Sequence, residues 1–201
     1  TQQSQLPSKT LDAFDFRHAK GIDRARISAL AHDPTWVEQA QNLLLFGPSG
    51  VGKSHLASAI GHALIERGVP VRYVSATALV QQLQRARTAL SLPEALAKLD
   101  KYRVLIVDDL AYVKKSEHET SVLFELIAHR YESASLVITA NQPFSAWDEV
   151  FSDTIMTVAA VDRLVHQATI IEFNNDSYRR RAAKAKTETT TTGGKNSSSD
   201  N

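Results

Sequence analysis

Five short apolar runs alternating with helical patterns predict a three-layer α/β fold, a five-stranded parallel sheet covered by helices on both faces. A second observation orients the sheet. Gly47-Pro48-Ser49-Gly50-Val51-Gly52-Lys53-Ser54 is a complete GxxxxGKS phosphate-binding loop, directly after one apolar run and directly before a helical stretch. The third is Val104-Leu105-Ile106-Val107, a buried-strand pattern that ends in the acidic pair Asp108-Asp109. In parallel sheets of this kind ligands bind beyond the carboxyl ends of the strands, and both motifs fall there.

The elements follow in order. Asn42–Phe46 is a strand because four apolar residues lead into the glycine turn. Lys53–Arg67 reads as a helix, with Gly68 placed to end it and Pro70 beyond. Val71–Ser75 is the next strand, followed by helices at Thr77–Ala89 and Leu92–Leu99. Val104–Asp108 is the acid-tipped strand, then comes a helix at Glu117–Glu132. Leu136–Ala140 forms another strand, ending at Asn141. Met156–His166 and Thr169–Phe173 supply the last helix and the last strand. Residues 1–10 are expected to be a flexible leader, 11–186 the folded domain and 187–201 a disordered Thr/Ser/Gly/Asn tail without an apolar residue.

Composition narrows the class. A chain of 201 residues with 43 % hydrophobic and 22 % charged residues is an ordinary globular domain. It has no cysteine, which excludes disulfides and thiolate metal sites. No apolar stretch is long enough for a membrane helix, and the polar start Thr1 to Lys9 is unlike a signal peptide. A cytoplasmic protein is therefore expected. Net charge is only +1, so the distribution of charge says more than its sum. Arg179, Arg180, Arg181, Lys184 and Lys186 form a basic run without an acid. Such a run is either a polyanion-binding face or a solvated surface.

The chemistry concentrates on phosphate. Backbone N–H groups of the glycine turn and the following helix N-terminus attract an anion. Lys53 can reach outer phosphates, and the Ser54 hydroxyl can ligate Mg²⁺. Asp108 can hold the same ion directly or through water, and Asp109 can polarise an attacking water. Asn141 can hold that water or the γ-phosphate, or it can simply open the turn before Pro143. Arg163, in Asp162-Arg163-Leu164, stands either as a surface ion pair or as a cation aimed at a neighbouring subunit. These features imply a nucleoside triphosphate. No Asn-Lys-x-Asp guanine-reading motif and no Gly-x-Ser-x-Gly elbow occur, which argues against a GTPase and a serine hydrolase.

In combination, GPSGVGKS, VLIVDD, LVITAN and AAVDRL resemble the Walker A, Walker B, sensor-1 and arginine-finger positions of AAA+ ATPases. The stretches Lys53-Ser54-His55-Leu56-Ala57, His129-Arg130-Tyr131-Glu132 and Ala140-Asn141-Gln142-Pro143-Phe144 with Trp147 resemble the IstB/DnaC branch, and IstB most closely. The resemblance implies an AAA+ P-loop NTPase in which ATP and Mg²⁺ bind between copies of the chain. Lys53, Ser54, Asp108, Asp109 and Asn141 would act in cis and Arg163 in trans. It also implies a homo-oligomer on duplex DNA that serves a cognate transposase, with hydrolysis as a release switch. A DnaC-type helicase loader shares nearly all these motifs. A small-molecule P-loop kinase is the rival from another class.

Two departures from the family stand out. Asp109 takes the place of the usual glutamate, one methylene shorter, so hydrolysis is expected to be slow. Only a short basic segment follows Phe173, so a lid domain is expected to be lacking or vestigial. Arg85, Arg87, Lys114 and Lys115 are candidate DNA contacts, each pair weighed against plain solvation. Phe14 and Phe16, ahead of the loop, are candidates to cover adenine or to fill the core. His55 and His62 share a helix face but lack metal-ligand spacing.

Overall fold

The computed structural model describes residues 6, 7, 9–19, 21–111 and 114–173. The basic segment 178–186 lies outside them. Five strands form one sheet: β1 (Asn42–Phe46), β2 (Val71–Ser75), β3 (Val104–Asp108), β4 (Ser135–Ala140) and β5 (Ala168–Glu172). Their order is β2-β3-β4-β1-β5, and every neighbouring pair is parallel. Helices α1 (Arg24–His32), α2 (Thr35–Glu38), α3 (Lys53–Glu66), α4 (Ala76–Thr88), α5 (Leu92–Ala97), α6 (Glu117–Arg130), α7 (Trp147–Val150) and α8 (Thr154–Val165), with 3-10 turns at Phe16–His18 and Phe144–Ala146, complete the described chain. None of them is long and apolar enough to cross a membrane.

Alternation along the strands divides the core in two. Leu43, Leu45, Val104, Ile106 and Val137 belong to the cluster with Leu56, Ile60 and Leu64 of α3, which Ile27 and Ala31 of α1 extend. Leu44, Leu105, Val107, Leu136 and Ile138 belong to the cluster with α4, α6 and α8. Both faces of β1, β3 and β4 are therefore dry, and that is why their sequences are continuous apolar runs.

The five predicted strands and five predicted helices are all present, each end within two residues. Helix α8 starts at Thr154 rather than Met156 because Asp153 caps it, accepting from the Met156 N–H at 2.8 Å. Three α-helices among the described residues were not foreseen. Helix α1 buries only Ile27 and Ala31, too sparse an apolar pattern to register. Helices α2 and α7 are single turns anchored by Trp36 and Trp147, too short to show a period. The end of the expected leader already packs on α3. Pro7 O accepts from Ser58 Oγ at 2.7 Å and from His62 Nε2 at 2.8 Å, and Thr10 O accepts from His55 Nε2 at 3.0 Å.

One buried cation ties the bottom of the sheet together. Arg130, at the end of α6, is 1 % exposed. Its guanidinium donates to the carbonyls of Leu99, Tyr102, Arg103 and Ser135, at 3.0 to 3.4 Å. Those carbonyls belong to the approach to β3 and the first residue of β4. Burial lowers the Arg130 pKa to about 10 against the opposing charge of Asp100, so it stays protonated at neutral pH. A planar fork with several donors can do this, whereas a lysine cannot. Replacing Arg130 by Leu should destabilise the domain by about 3 kcal/mol or more, since charge-assisted bonds are lost and buried carbonyls are stranded. Arg130→Lys should recover less than half of that. Urea unfolding midpoints measure both, and a loss below about 1 kcal/mol in Arg130→Leu would refute the assignment.

Candidate nucleotide site

The site is built where β1, β3 and β4 end. After Phe46 the chain turns through Gly47 and reaches α3 at Lys53, with Gly52 as its left-handed cap at φ 108°. Gly47 has φ 146°, and a Cβ there would lie 2.7 Å from both Cβ and O of Phe173. A Cβ at Gly52 would lie 2.9 Å from the Phe14 ring. Phe14 is buried and meets Phe16 edge-on at 4.8 Å and His55 at 5.3 Å. Phe14 therefore braces the phosphate loop, which is the core role weighed for it above.

Lys53 is 5 % exposed, and its Nζ donates to Gly47 O at 2.7 Å and Pro48 O at 2.9 Å. Burial lowers its pKa, and the charges of Asp109 and then Asp108 oppose that. The lysine thus lies between the loop and the acidic pair. Its present partners are neutral carbonyls, which a phosphate oxygen outcompetes because both partners of that bond are charged.

Both oxygens of Asp108 are held. Tyr73 Oη donates to Oδ2 at 2.6 Å, and Thr139 Oγ1 donates to Oδ1 at 2.6 Å. Burial and then the Asp108 hydrogen bond push the Tyr73 phenol well above its usual range, so it remains a donor. Asp109 occupies the left-handed region at φ 59°, which costs on the order of 1 kcal/mol for a residue with a Cβ. Its N–H donates to Thr139 Oγ1 at 2.9 Å. Asn141 lies just beyond β4 and lines an open hollow of ≈ 320 Å³ with Gly47, Pro48 and Phe173. Its Oδ1 is buried with no hydrogen-bond partner among the described residues. Such an atom is costly unless something polar completes it.

Lys53, Asp108 and Asp109 are therefore brought together, with Asn141 beside the loop. Arg163 is at the far end. It belongs to the last turn of α8, whose Leu164 O accepts from Asn42 Nδ2 at 3.1 Å. Asn42 begins β1 and the phosphate loop follows its end, about 13 Å away for a five-residue strand. Arg163 Nη1 donates to Ala159 O at 2.9 Å, and its guanidinium lies 5.2 Å from the Phe124 ring centroid.

The four candidate DNA contacts separate. Arg85 and Lys114 are exposed. Arg87 is committed to α6, donating to Ser121 Oγ at 2.9 Å and pairing with Glu125. Lys115 is a correction: it is 6 % exposed, and burial lowers its pKa. Its N–H donates to Val150 O at 2.7 Å, which draws the residue inward. Charge counting along the chain could not see either fate. Tyr73 and Thr139 were also missed. The one signal on offer was Thr139, a hydroxyl inside the apolar run Leu136–Ala140; Val71–Ser75 also carries Arg72 and Ser75, so Tyr73 did not stand out.

The donor set suits Mg²⁺. Asp108 and Ser54 offer hard oxygens, and among the described residues no group of three or more His, Cys, Asp or Glu could cage a metal alone. Mg²⁺ usually takes one or two protein ligands and fills the rest with phosphate and water.

Residues 1–186 match the family described as IstB-like ATP binding protein. The chain belongs to that family. A putative insertion sequence ATP-binding protein of Sinorhizobium fredii is 58 % identical over 177 residues, covering 88 % of this chain and 59 % of that protein. The insertion sequence IS21 putative ATP-binding protein of Pseudomonas aeruginosa is 38 % identical, covering 89 % of this chain and 67 % of its own length. The chain thus spans about three-fifths to two-thirds of these IstB-like relatives. Among solved structures, the DnaC helicase loader aligns with TM-score 0.67 at 20 % identity, covering 82 % of this chain and 96 % of the loader. DnaI aligns with TM-score 0.67 at 23 % identity, over 85 % of this chain and 96 % of that one. These neighbours share the AAA+ P-loop fold.

Gly47→Ala tests the close approach at the loop's entry. The added methyl meets backbone and Cβ of Phe173 and sits at an unfavourable φ, so a loss of about 2 kcal/mol is expected. Thermal unfolding measures it, and a variant as stable as the parent would show that Gly47 and Phe173 are not locked together.

Proposed function

We propose that this chain binds ATP with Mg²⁺ between neighbouring copies of itself, assembles on duplex target DNA and hydrolyses ATP as the helper of a transposase. The convergence of Lys53, Asp108, Asp109 and Asn141 on the phosphate loop carries the reading. The insertion-sequence relatives support its setting in transposition.

The residues divide the work. Lys53 releases the Gly47 and Pro48 carbonyls and takes phosphate oxygens in their place. Ser54 and Asp108 would hold Mg²⁺, which neutralises phosphate charge when bound. Asp109 accepts a hydrogen bond from the attacking water and orients it towards the γ-phosphate, while the buried amide of Asn141 completes the water's or the phosphate's hydrogen bonds. The short Asp109 side chain makes this step slow. Arg163 lies too far from its own loop to take part, so it would act on the neighbour's γ-phosphate. An arginine so placed contributes on the order of 10³–10⁵ in rate. Nucleotide state then governs assembly, and hydrolysis releases the DNA.

Two variants with complementary defects test the arrangement. Lys53→Ala should abolish ATP binding, and Arg163→Ala should keep binding while losing at least about 10³ in hydrolysis. Mixed together, they form some interfaces with one sound pocket facing one sound arginine, and activity should partly return. No return in demonstrably mixed assemblies would sink the trans role.

DNA binding should be duplex-tolerant and salt-sensitive, because the exposed candidates, Arg85 and Lys114, are cations that suit phosphates. Lys114→Ala should flatten the slope of log affinity against log salt by about 0.9, whereas Lys115→Ala should leave it unchanged. Fluorescence anisotropy at several salt concentrations measures both. A clear preference for single strands would instead favour a helicase-loader role.

A further inference from the structure

We infer that Thr139 and Tyr73 form a two-hydroxyl clamp that positions the acidic pair for Mg²⁺–ATP, with Thr139 as its hub. The inference rests on the nucleotide reading above. It adds two residues that touch neither substrate nor metal and act through Asp108 and Asp109.

Sheet register builds the clamp. Val107 of β3 pairs with Ile138 of β4, so Asp108 emerges beside Thr139. On the other side Tyr73 pairs with Ile106, two residues before Asp108 on the same face, and its long ring reaches diagonally to the carboxylate. Each hydroxyl takes one oxygen of Asp108, at 2.6 Å. A carboxylate has about four lone-pair positions, so two remain for a metal or its waters. What the clamp removes is rotation. The plane of Asp108 is fixed before any ion arrives, as outer partners of metal-holding carboxylates do elsewhere.

Thr139 carries a second duty. Its Oγ1 gives its proton to Asp108 and receives the N–H of Asp109 at 2.9 Å, while its carbonyl receives the N–H of Leu110 at 2.9 Å. Three successive residues of the acidic turn are thus held by one residue of β4. Asp109 is the one in the left-handed region, where a residue with a Cβ is strained. Asn141 follows Thr139 by two residues, just beyond β4. Thr139 is fully buried, which keeps water from competing for its hydroxyl.

The test uses the full chain, a fluorescent ATP analogue and single-turnover hydrolysis. Thr139→Val keeps the shape and removes the hydroxyl, Thr139→Ser keeps the hydroxyl, and Tyr73→Phe removes only the second donor. Affinity for the analogue in EDTA should match the parent in all three, because Lys53 and the loop are untouched. The gain in affinity on adding Mg²⁺ should fall about tenfold in Tyr73→Phe and about 10- to 100-fold in Thr139→Val. Hydrolysis in Thr139→Val should fall by a similar factor, with Thr139→Ser within a few-fold of the parent. A parent that ignores Mg²⁺ overturns the nucleotide reading itself, and the clamp with it. A responsive parent with Thr139→Val and Tyr73→Phe equally responsive overturns the clamp alone. Equal losses with Mg²⁺ and in EDTA would reduce both residues to packing and also overturn it. Should Thr139→Val fail to fold, Tyr73→Phe at its half-buried site decides by the same comparison.

Discussion

The register between β3 and its two neighbours is the constraint on which the site depends. Side chains alternate across a strand, so a slip of one residue would turn Asp108 from the α3 face to the α6 face. The slip is prevented by burial on both sides: Leu105 and Val107 fill one core, Val104 and Ile106 the other. Arg130 adds a polar lock at the strand entrances, joining the approach to β3 and the start of β4 through their carbonyls. Hydrophobic packing thus sets the register at the bottom of the sheet, and the carboxylates at the top inherit it.

Much of this was legible in the sequence, and the reasons are physical. Strands buried on both faces must be continuous apolar runs, so their limits stand out against polar surroundings. The phosphate loop declares itself because only glycines tolerate its turn beside Phe173 and Phe14. Less legible was the fate of charged residues. Arg87 and Lys115 look like equal members of basic pairs, yet Arg87 is spent on Glu125 and Lys115 is drawn under the surface through its backbone bond to Val150. Both outcomes depend on which helix face meets which neighbour, and a linear charge count does not contain that. Arg130 shows the converse: a residue in a family-like stretch, His129-Arg130-Tyr131-Glu132, turns out to hold the fold together rather than face a ligand.

Hydroxyls were the least legible group. Tyr73 sits in a mixed strand and Thr139 in an apolar one, where a tyrosine reads as core and a threonine as a β-former. Their chemistry exists only because β2 and β4 flank β3. No spacing within one strand predicts a contact made across two, and topology is what sequence patterns specify least.

On the proposed function, the geometry would also make one copy of the chain an incomplete machine. A parallel sheet gathers all its strand ends on one edge, and Lys53, Asp108, Asp109 and Asn141 use that edge. Arg163 ends a helix that runs back towards the strand beginnings, where Asn42 grips it at Leu164. Its guanidinium rests on Phe124 and Ala159, partners that hold it in place without neutralising it. The strand length separates this cation from its own phosphate loop by more than a side chain spans. A second copy, stacked so that the beginning of one sheet meets the end of the next, would close that gap without changing either fold. On the proposed reading, dependence on a neighbour would follow from parallel topology, with Arg163 as the residue through which a neighbour's presence would be felt at the nucleotide.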